Sequence, residues 1–144
     1  MNLNAMNLRQ QRQGDVPMFD GQEYIGKQVT ERLAAWVADD KQTADMGKLP
    51  ASAVVTNVRI QVTEAFNSDG TDLISVGYSG AATAFTTTTD VATTGIKSVT
   101  LGASAGYNAT ARDVQAYYTN GGSEPTTGKA LVVLEYYRTP VPPA

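Results

Sequence analysis

The chain has 144 residues, no cysteine, no histidine and a formal net charge of -3. This length is typical of one domain that buries a sizeable core without covalent cross-links. The absence of cysteine excludes disulfides and thiol catalysis, and the absence of histidine excludes histidine-based triads and the commonest zinc sites. The acidic balance argues against nucleic acid as a partner, because phosphate binding needs clustered lysine and arginine.

Residues 1–26 follow no period of 2 or 3.6 and have no apolar run of the signal-peptide kind. No later segment has the length of a membrane span, so we expect a soluble protein made without export and without a membrane partner. The segment is either a disordered terminus or an extended arm that becomes ordered on a neighbouring subunit. The candidate contact residues of such an arm are Leu3, Met6, Leu8, Arg9, Arg12, Met18 and Phe19.

Residues 27–40 are compatible with a helix and with a strand. A helix would place on one face Val29, Leu33, Trp36 and Val37. A strand would put Ala35 on that face in place of Trp36. Propensity alone favours the helix, but the resemblance described below favours a strand, which we predict.

The clearest strand covers residues 54–66, after a predicted loop at residues 41–52. Its alternation places on one buried face Thr56, Val58, Ile60 and Val62. A turn cluster at residues 67–70 and a second strand at residues 73–78 follow, so we predict an antiparallel hairpin. Further on, threonine-rich sequence predicts short strands near residues 82–85 and 96–101, and then a loop over residues 102–110.

The last two predicted strands are the most tyrosine-rich part of the chain. Val114, Ala116 and Tyr118 alternate with polar residues, and the strand at residues 129–138 is apolar on both faces. Such a strand is either central between two layers or covered by another subunit. The candidate subunit-interface residues are Tyr117, Leu131, Val133 and Tyr137.

Six or seven short strands separated by turn signals predict an all-β fold, an antiparallel β-sandwich or jelly roll with an extended N-terminal arm. The predicted organisation is an arm over residues 1–26, a β-sandwich domain over residues 27–139 and a proline-rich tail over residues 140–144.

No motif predicts catalysis, a cofactor or a metal site. The carboxylate pairs Asp39 with Asp40, Asp69 with Asp72, and Asp15 with Asp20 make no persuasive acid–base or cation site. Residues 67–72 lack the spacing and the terminal glutamate of a calcium loop, and they lie where a turn is needed. Without histidine, a serine or threonine nucleophile would need a lysine or carboxylate base, for which no motif is present. The tyrosines suit a core or an interface better than a sugar-binding platform. We therefore predict that the chain is not an enzyme.

The run LPASAVVTNVRIQVTEAFNSDGTDLISVGYSG at residues 49–80 resembles small structural proteins of tailed bacteriophages and prophages. In those proteins a Leu-Pro step leads into an alternating strand, a polar turn and a second strand. The sequences TGIKSVTL at residues 94–101 and TTGKALVVLEYYR at residues 126–138 continue the resemblance, which covers roughly the last two thirds of the chain. It also implies an additional strand before the Leu-Pro step.

This resemblance implies a capsid cement or decoration protein, made in the host cytoplasm and bound to the outer surface of the phage head. Its implied partners are the major capsid protein and further copies of itself, as a homotrimer at local three-fold positions. A neck or tail component, present in few copies, is one alternative. A carbohydrate-binding or adhesion module, which would bind a glycan as an isolated domain, is the other.

The predicted arm gives a direct test. Deletion of residues 1–24 should leave a folded domain and weaken attachment to the capsid, because the spaced apolar anchors of the arm would be lost. Occupancy on purified particles, compared for the full and the truncated chain, measures the effect. Equal occupancy of the two chains would show that this segment is no capsid-binding arm.

Overall fold

The computed structural model describes residues 29–140, within which the chain forms nine strands. No described segment is a helix with the length and apolarity that crossing a membrane requires. The predicted arm residues lie outside the described residues, as does most of the proline-rich tail. The strands are β1 (Glu31–Ala38), β2 (Thr43–Leu49), β3 (Ala53–Glu64), β4 (Asp72–Gly77), β5 (Thr89–Asp90), β6 (Gly95–Lys97), β7 (Gly106–Asn108), β8 (Arg112–Asn120) and β9 (Lys129–Arg138).

Two antiparallel sheets pack against each other as a β-sandwich, which confirms the predicted fold class. The five-stranded sheet has the order β1-β9-β3-β6, and β7 pairs with the other end of β3. The four-stranded sheet has the order β2-β8-β4-β5. Neighbours in these sheets are far apart in the sequence, since Glu31 at the start of β1 lies opposite Tyr136 near the end of β9.

Alternating side chains from both sheets form the core. On the inner face of β9 lie Ala130, Val132, Leu134 and Tyr136, all buried. The four-stranded sheet contributes Val114, Ala116 and Tyr118 from β8, and Ile74 and Val76 from β4. Each large side chain removed from water in this way contributes roughly 1.5–3 kcal/mol to folding. The alternation predicted for β3, β8 and β9 is therefore the pattern that builds the core.

The ambiguous segment is a strand at residues 31–38, as predicted. Its eight residues pair with β9 in continuous register. Leu33, Ala35 and Val37 point inward, whereas Trp36 points outward and keeps 55% of its surface exposed. A strand forms because eight residues pair with β9, and this pairing outweighs the local helix propensity.

The prediction of a loop over residues 41–52 is wrong. Residues 43–49 form β2, whose Ala44, Met46 and Leu49 are buried. A bulge between Asp45 and Gly47 shifts the register with β8, and Gly47 has a φ of +119°. The extra residue interrupts the period of 2, so the strand has no clean alternation to detect.

The predicted hairpin of β3 and β4 is also wrong, because these strands lie in different sheets. The turn cluster carries the chain from one layer to the other. β3 also contains a bulge between Val55 and Asn57, which buries Val55 and leaves Thr56 exposed. Thr56 was predicted to share the buried face of β3, and the bulge moves it to the outside.

The predicted strand at residues 82–85 is a series of turns. Phe85 nevertheless lies in the core, and the backbone N–H groups of Phe85 and Thr86 donate to the carbonyl of Val76 at 2.9 and 3.1 Å. Of the predicted strand at residues 96–101 only β6 forms a ladder, and the predicted loop after it contains β7. These short strands depend on pairing with β3, which local sequence does not reveal.

One end of the sandwich is closed by hydrogen bonds between the crossover at residues 65–71 and the connection from β8 to β9. The side-chain oxygen of Asn67 accepts from the backbone N–H groups of Thr126 and Thr127 at 2.8 and 3.0 Å. Asp69 accepts from the N–H of Ser123 at 2.6 Å. Further hydrogen bonds join the same two segments, from the hydroxyl of Thr127 to the carbonyl of Ala65 at 2.9 Å and from the N–H of Gly121 to the carbonyl of Thr71 at 2.8 Å.

Beneath this closure, aromatic rings fill the end of the core. The rings of Phe66 and Tyr118 stack with their centroids 4.7 Å apart. The hydroxyl of Tyr118 donates to the buried carboxylate of Asp72 at 2.5 Å. Burial and this neighbouring carboxylate raise the pKa of Tyr118, so the hydroxyl stays protonated and remains a donor.

Gly128 lets the backbone lie close to the Phe66 ring, because glycine has no side chain there. Replacing Gly128 tests this packing. In Gly128→Ala the new methyl carbon would lie 2.3 Å from the Phe66 ring, at a φ of +148°. We expect the free energy of unfolding to fall by about 2–4 kcal/mol, measured by urea denaturation. Gly80→Ala is the matched control, because Gly80 has a φ of +88° and open space around it, so it should lose only about 1–2 kcal/mol. Equal losses in the two variants would refute the packing argument.

An ion pair joins the outer ends of β1 and β9. Arg138 donates two hydrogen bonds to the carboxylate of Glu31, at 2.8 and 3.0 Å, and the hydroxyl of Tyr136 donates a third at 3.0 Å. The hydrogen bonds from Arg138 are the main cause that holds the pKa of Glu31 below its ordinary value of 4.5. A carboxylate with a lowered pKa stabilises the fold above its unfolded-state pKa and loses that contribution as the pH falls through the folded-state value.

Glu31→Gln should therefore be less stable than the natural chain at pH 7, and the difference should close as the pH falls below 4.5. Urea denaturation at a series of pH values measures this. Glu124→Gln serves as the control, since exposed Glu124 makes no ion pair with any residue from 29 to 140. A stability difference for Glu31→Gln that is the same at pH 7 and pH 3 would contradict this assignment.

Candidate interaction surface

The outer face of the five-stranded sheet carries side chains in rows that follow the strand register. One row crosses the sheet through Trp36, Leu131, Gln61 and Ile96. The next contains Ala34, Val133 and Arg59, and the third contains Arg32, Glu135 and Asn57. The last contains Tyr137, Val54 and Tyr107. We call this surface the outer face of the five-stranded sheet throughout.

A buried carboxylate lies in the middle of this face. Glu135 is 7% exposed, and its Oε2 lies 3.0 Å from Nε of Arg32. Its Oε1 lies 3.5 Å from Arg59 and accepts from the side-chain amide of Asn57 at 3.4 Å. The two arginine side chains remain largely exposed, so this cluster presents one surplus positive charge to solvent.

Apolar side chains lie on both sides of this charged centre. Ile96 is 80% exposed, Trp36 is 55% exposed and Tyr107 is 47% exposed. Val133, Leu131 and Tyr137 are half-buried beside them. Tryptophan, tyrosine and arginine are the residues that contribute most to binding in protein interfaces. The composition of this face is therefore that of a protein interaction surface.

A shallow cavity of about 460 Å³ lies at one edge of the same face. Its walls include Arg59 and Gln61 from β3 and Ile96, with Val99 from the following segment. The cavity lies where β6 pairs with only three residues of β3, which leaves part of the strand edge uncovered. It gives a protruding side chain of a partner a place to insert.

The predicted interface residues do not all share one surface. Leu131, Val133 and Tyr137 lie together on the outer face of the five-stranded sheet, because they alternate along β9. Tyr117 lies on the opposite side of the molecule, on the outer face of the four-stranded sheet, where it pairs with Ser75 and Thr43. A single contact surface therefore includes three of the four.

The outer face of the four-stranded sheet has a different chemistry. Asp45, Asp90 and Asp113 are exposed there, with Lys48 3.6 Å from Asp113. The hydroxyl of Tyr117 donates to the side chain of Gln115 at 2.7 Å, and burial raises the pKa of Tyr117. The sandwich thus has one aromatic face with arginines and one acidic, polar face.

Several residues of the candidate surface were missed by sequence analysis. Trp36 could have been found, because the strand alternation that turns Leu33 and Val37 inward places it on the other side. Ile96 and Tyr107 could not have been found, because their positions depend on pairing with distant residues of β3. Ile96 lies opposite Gln61, 35 residues earlier, and Tyr107 lies opposite Val54, 53 residues earlier. Arg32 and Arg59 lie on either side of Glu135, and this grouping also depends on the strand register, which local sequence does not show.

Within residues 29–140 no group of three or more histidine, cysteine, aspartate or glutamate side chains is placed to hold a metal ion. Of the carboxylates considered in the sequence, Asp69 and Asp72 have structural partners. Asp69 accepts from Ser123, and Asp72 accepts from Tyr118 and from the N–H of Ser68. The chemistry that the described surface offers is therefore recognition through aromatic, apolar and guanidinium groups.

No protein-family model matches the chain, and no curated protein matches it. Solved structures similar to it include the "Cyanophage Pam1 capsid asymmetric unit", with a TM-score of 0.62 and 21% identity over 94% of this chain and 99% of the matching one. They also include the "Acidic stable capsid structure of Helicobacter pylori bacteriophage KHP30", with a TM-score of 0.55 and 18% identity over 79% and 91%. The chain therefore has the fold of chains found in the capsid structures of two bacteriophages.

Proposed function

We propose that this chain is a structural protein of a bacteriophage particle, and that it acts as a cement or decoration protein on the outer surface of the head. The observation that carries the proposal is the likeness to the Pam1 capsid chain, which extends over 94% of this chain and 99% of that one. The two chains are thus of similar length. The likeness concerns a whole chain of a capsid structure and not one domain of a much larger subunit.

The outer face of the five-stranded sheet supports a binding role. Its exposed aromatic and apolar side chains surround two arginines, and this arrangement provides buried area together with directional hydrogen bonds. We assign this face to contact with the major capsid protein, in place of the subunit contact expected from the sequence for Leu131, Val133 and Tyr137. The acidic face of the four-stranded sheet would then point away from the shell, where exposed carboxylates favour solubility.

A cement protein acts by mass action. It binds the assembled lattice and not the separated subunits, so its binding free energy adds to the stability of the assembled head. That contribution opposes the internal pressure of packed DNA. The proposal includes a capsid-binding arm over residues 1–26, a sandwich domain over residues 27–139 and a homotrimer at local three-fold positions. The role requires neither catalysis nor a cofactor.

Copy number in the particle tests the proposed function. Quantitative mass spectrometry of purified phage should find this chain in numbers comparable to the major capsid protein. A few copies per particle would instead place it in the neck or tail. Its absence from particles would overturn the proposal.

The assignment of the docking face has its own test. Ile96→Asp should weaken binding to capsids that lack this protein at least tenfold, since an interface must then bury an unpaired carboxylate. Ile96 is 80% exposed, so the free domain should keep its fold. Thr119→Asp introduces the same charge at an exposed position on the opposite sheet and should bind normally. Normal binding of Ile96→Asp, measured by co-sedimentation with capsids, would exclude this face as the contact.

A further inference from the structure

Strand β1 is an edge strand, and among residues 29–140 no strand pairs with its outer side. It begins the order of the five-stranded sheet and pairs with β9; on its other side only its last residue, Ala38, has a partner, since its carbonyl accepts from the N–H of Lys41 at 3.1 Å. The register with β9 contains no bulge. Every second backbone N–H and C=O of an edge strand points away from the sheet, so β1 before Ala38 offers a straight row of donors and acceptors to a further strand.

The other edges of the sandwich are protected in ways that β1 is not. β2 is bulged and carries Asp45 and Lys48, while β5 and β6 have only two and three residues. Bulges, charges and short length are the usual means of preventing unwanted strand pairing. From Leu33 to Ala38 the edge of β1 has no charge, no proline and no bulge.

The core is also incomplete along this edge. Leu33 and Ala35 point inward and pack against the core, yet both are only half-buried. Trp36, on the other side of the strand, is 55% exposed. An additional strand outside β1 would cover all three side chains, and such burial contributes about 25 cal/mol per Å² of apolar surface.

We propose that β1 pairs with β1 of a second copy of this chain, antiparallel about a two-fold axis at Ala34, so that two five-stranded sheets become one continuous sheet. Residues directly opposite each other in a sheet lie on the same face, which restricts the axis to positions such as Ala34 or Ala35. Ala34 lies on the outer face and Ala35 on the inner one.

Charge decides between these two positions. With the axis at Ala34, Arg32 lies opposite Trp36 of the second copy, which allows a guanidinium to stack on an indole ring. Glu31 then lies opposite an uncharged valine, and no like charges meet. With the axis at Ala35, Glu31 would lie opposite Asp39 of the second copy, and like charges directly opposite destabilise a sheet.

A second copy fits this edge because the edge is self-complementary. The two charged residues of β1 lie at one end, and an antiparallel partner brings its uncharged end against them. This two-fold contact does not depend on the capsid role, since it rests on the strand edge alone.

Cysteine cross-linking tests the contact without background, because the chain has no cysteine. In Ala34→Cys the two new thiols would face each other at the axis, at a Cα separation of about 5 Å, which suits a disulfide. Mild oxidation at micromolar concentration should convert most of this full-length variant to a covalent dimer. Thr119→Cys, exposed on the opposite sheet, should stay uncross-linked. Equal cross-linking of the two variants, or none, would overturn the proposal.

A second variant tests the same contact without oxidation. Ala34→Lys places two like charges at the axis and should weaken self-association at least tenfold in sedimentation equilibrium, while Thr119→Lys should leave it unchanged. Both positions are exposed, so both variants should fold. Unchanged association of Ala34→Lys would overturn the proposal. So would cross-linking of Ala34→Cys that appears only after residues 1–24 are deleted, because the chain's own N-terminal segment would then occupy the edge.

Discussion

The position of β9 between β1 and β3 is the constraint on which the rest of the structure depends. This strand pairs on both sides, with β1 from Lys129 to Tyr136 and with β3 from Lys129 to Arg138. Its register decides which residues of three strands face the core and which face outward. A shift of β9 by one residue would expose Val132 and Leu134 and turn Val133 and Glu135 toward the core, so the core and the outer face are specified together.

The buried carboxylate of Glu135 connects this register to recognition. A carboxylate with so little exposure needs charged partners, and Arg32 and Arg59 supply them from the strands on either side. The pairing fixes the two guanidinium groups on a rigid sheet, where they lose little freedom on binding. The opposite sheet has acidic side chains and no comparable cluster among its described residues. The molecule thus has two faces that a partner can distinguish by charge.

Sequence patterns predicted the strands in which apolar residues alternate over most of the length, and failed at positions where a bulge or a distant partner decides the structure. β3, β8 and β9 were found because apolar residues alternate along them, and β1 was a choice between two periods. β2 was missed because Gly47 lies at a bulge. The predicted hairpin of β3 and β4 was wrong because the turn between these strands connects the two sheets. The candidate site was predicted in part, since alternation along β9 groups Leu131, Val133 and Tyr137. Tyr117 belongs to the other sheet, and no local signal shows that.

The pairing of the first described strand with the last one also affects how the protein folds during synthesis. Arg32 and Glu135 bond across 103 residues of sequence. A topology dominated by such distant contacts folds slowly, because long loops must close before any pairing is gained. While the ribosome makes the intervening residues, β1 has no β9 to bind, and its apolar residues stay open to other nascent chains. A chain that stalled before residue 129 would therefore leave both β1 and β3 without their shared partner, open to aggregation.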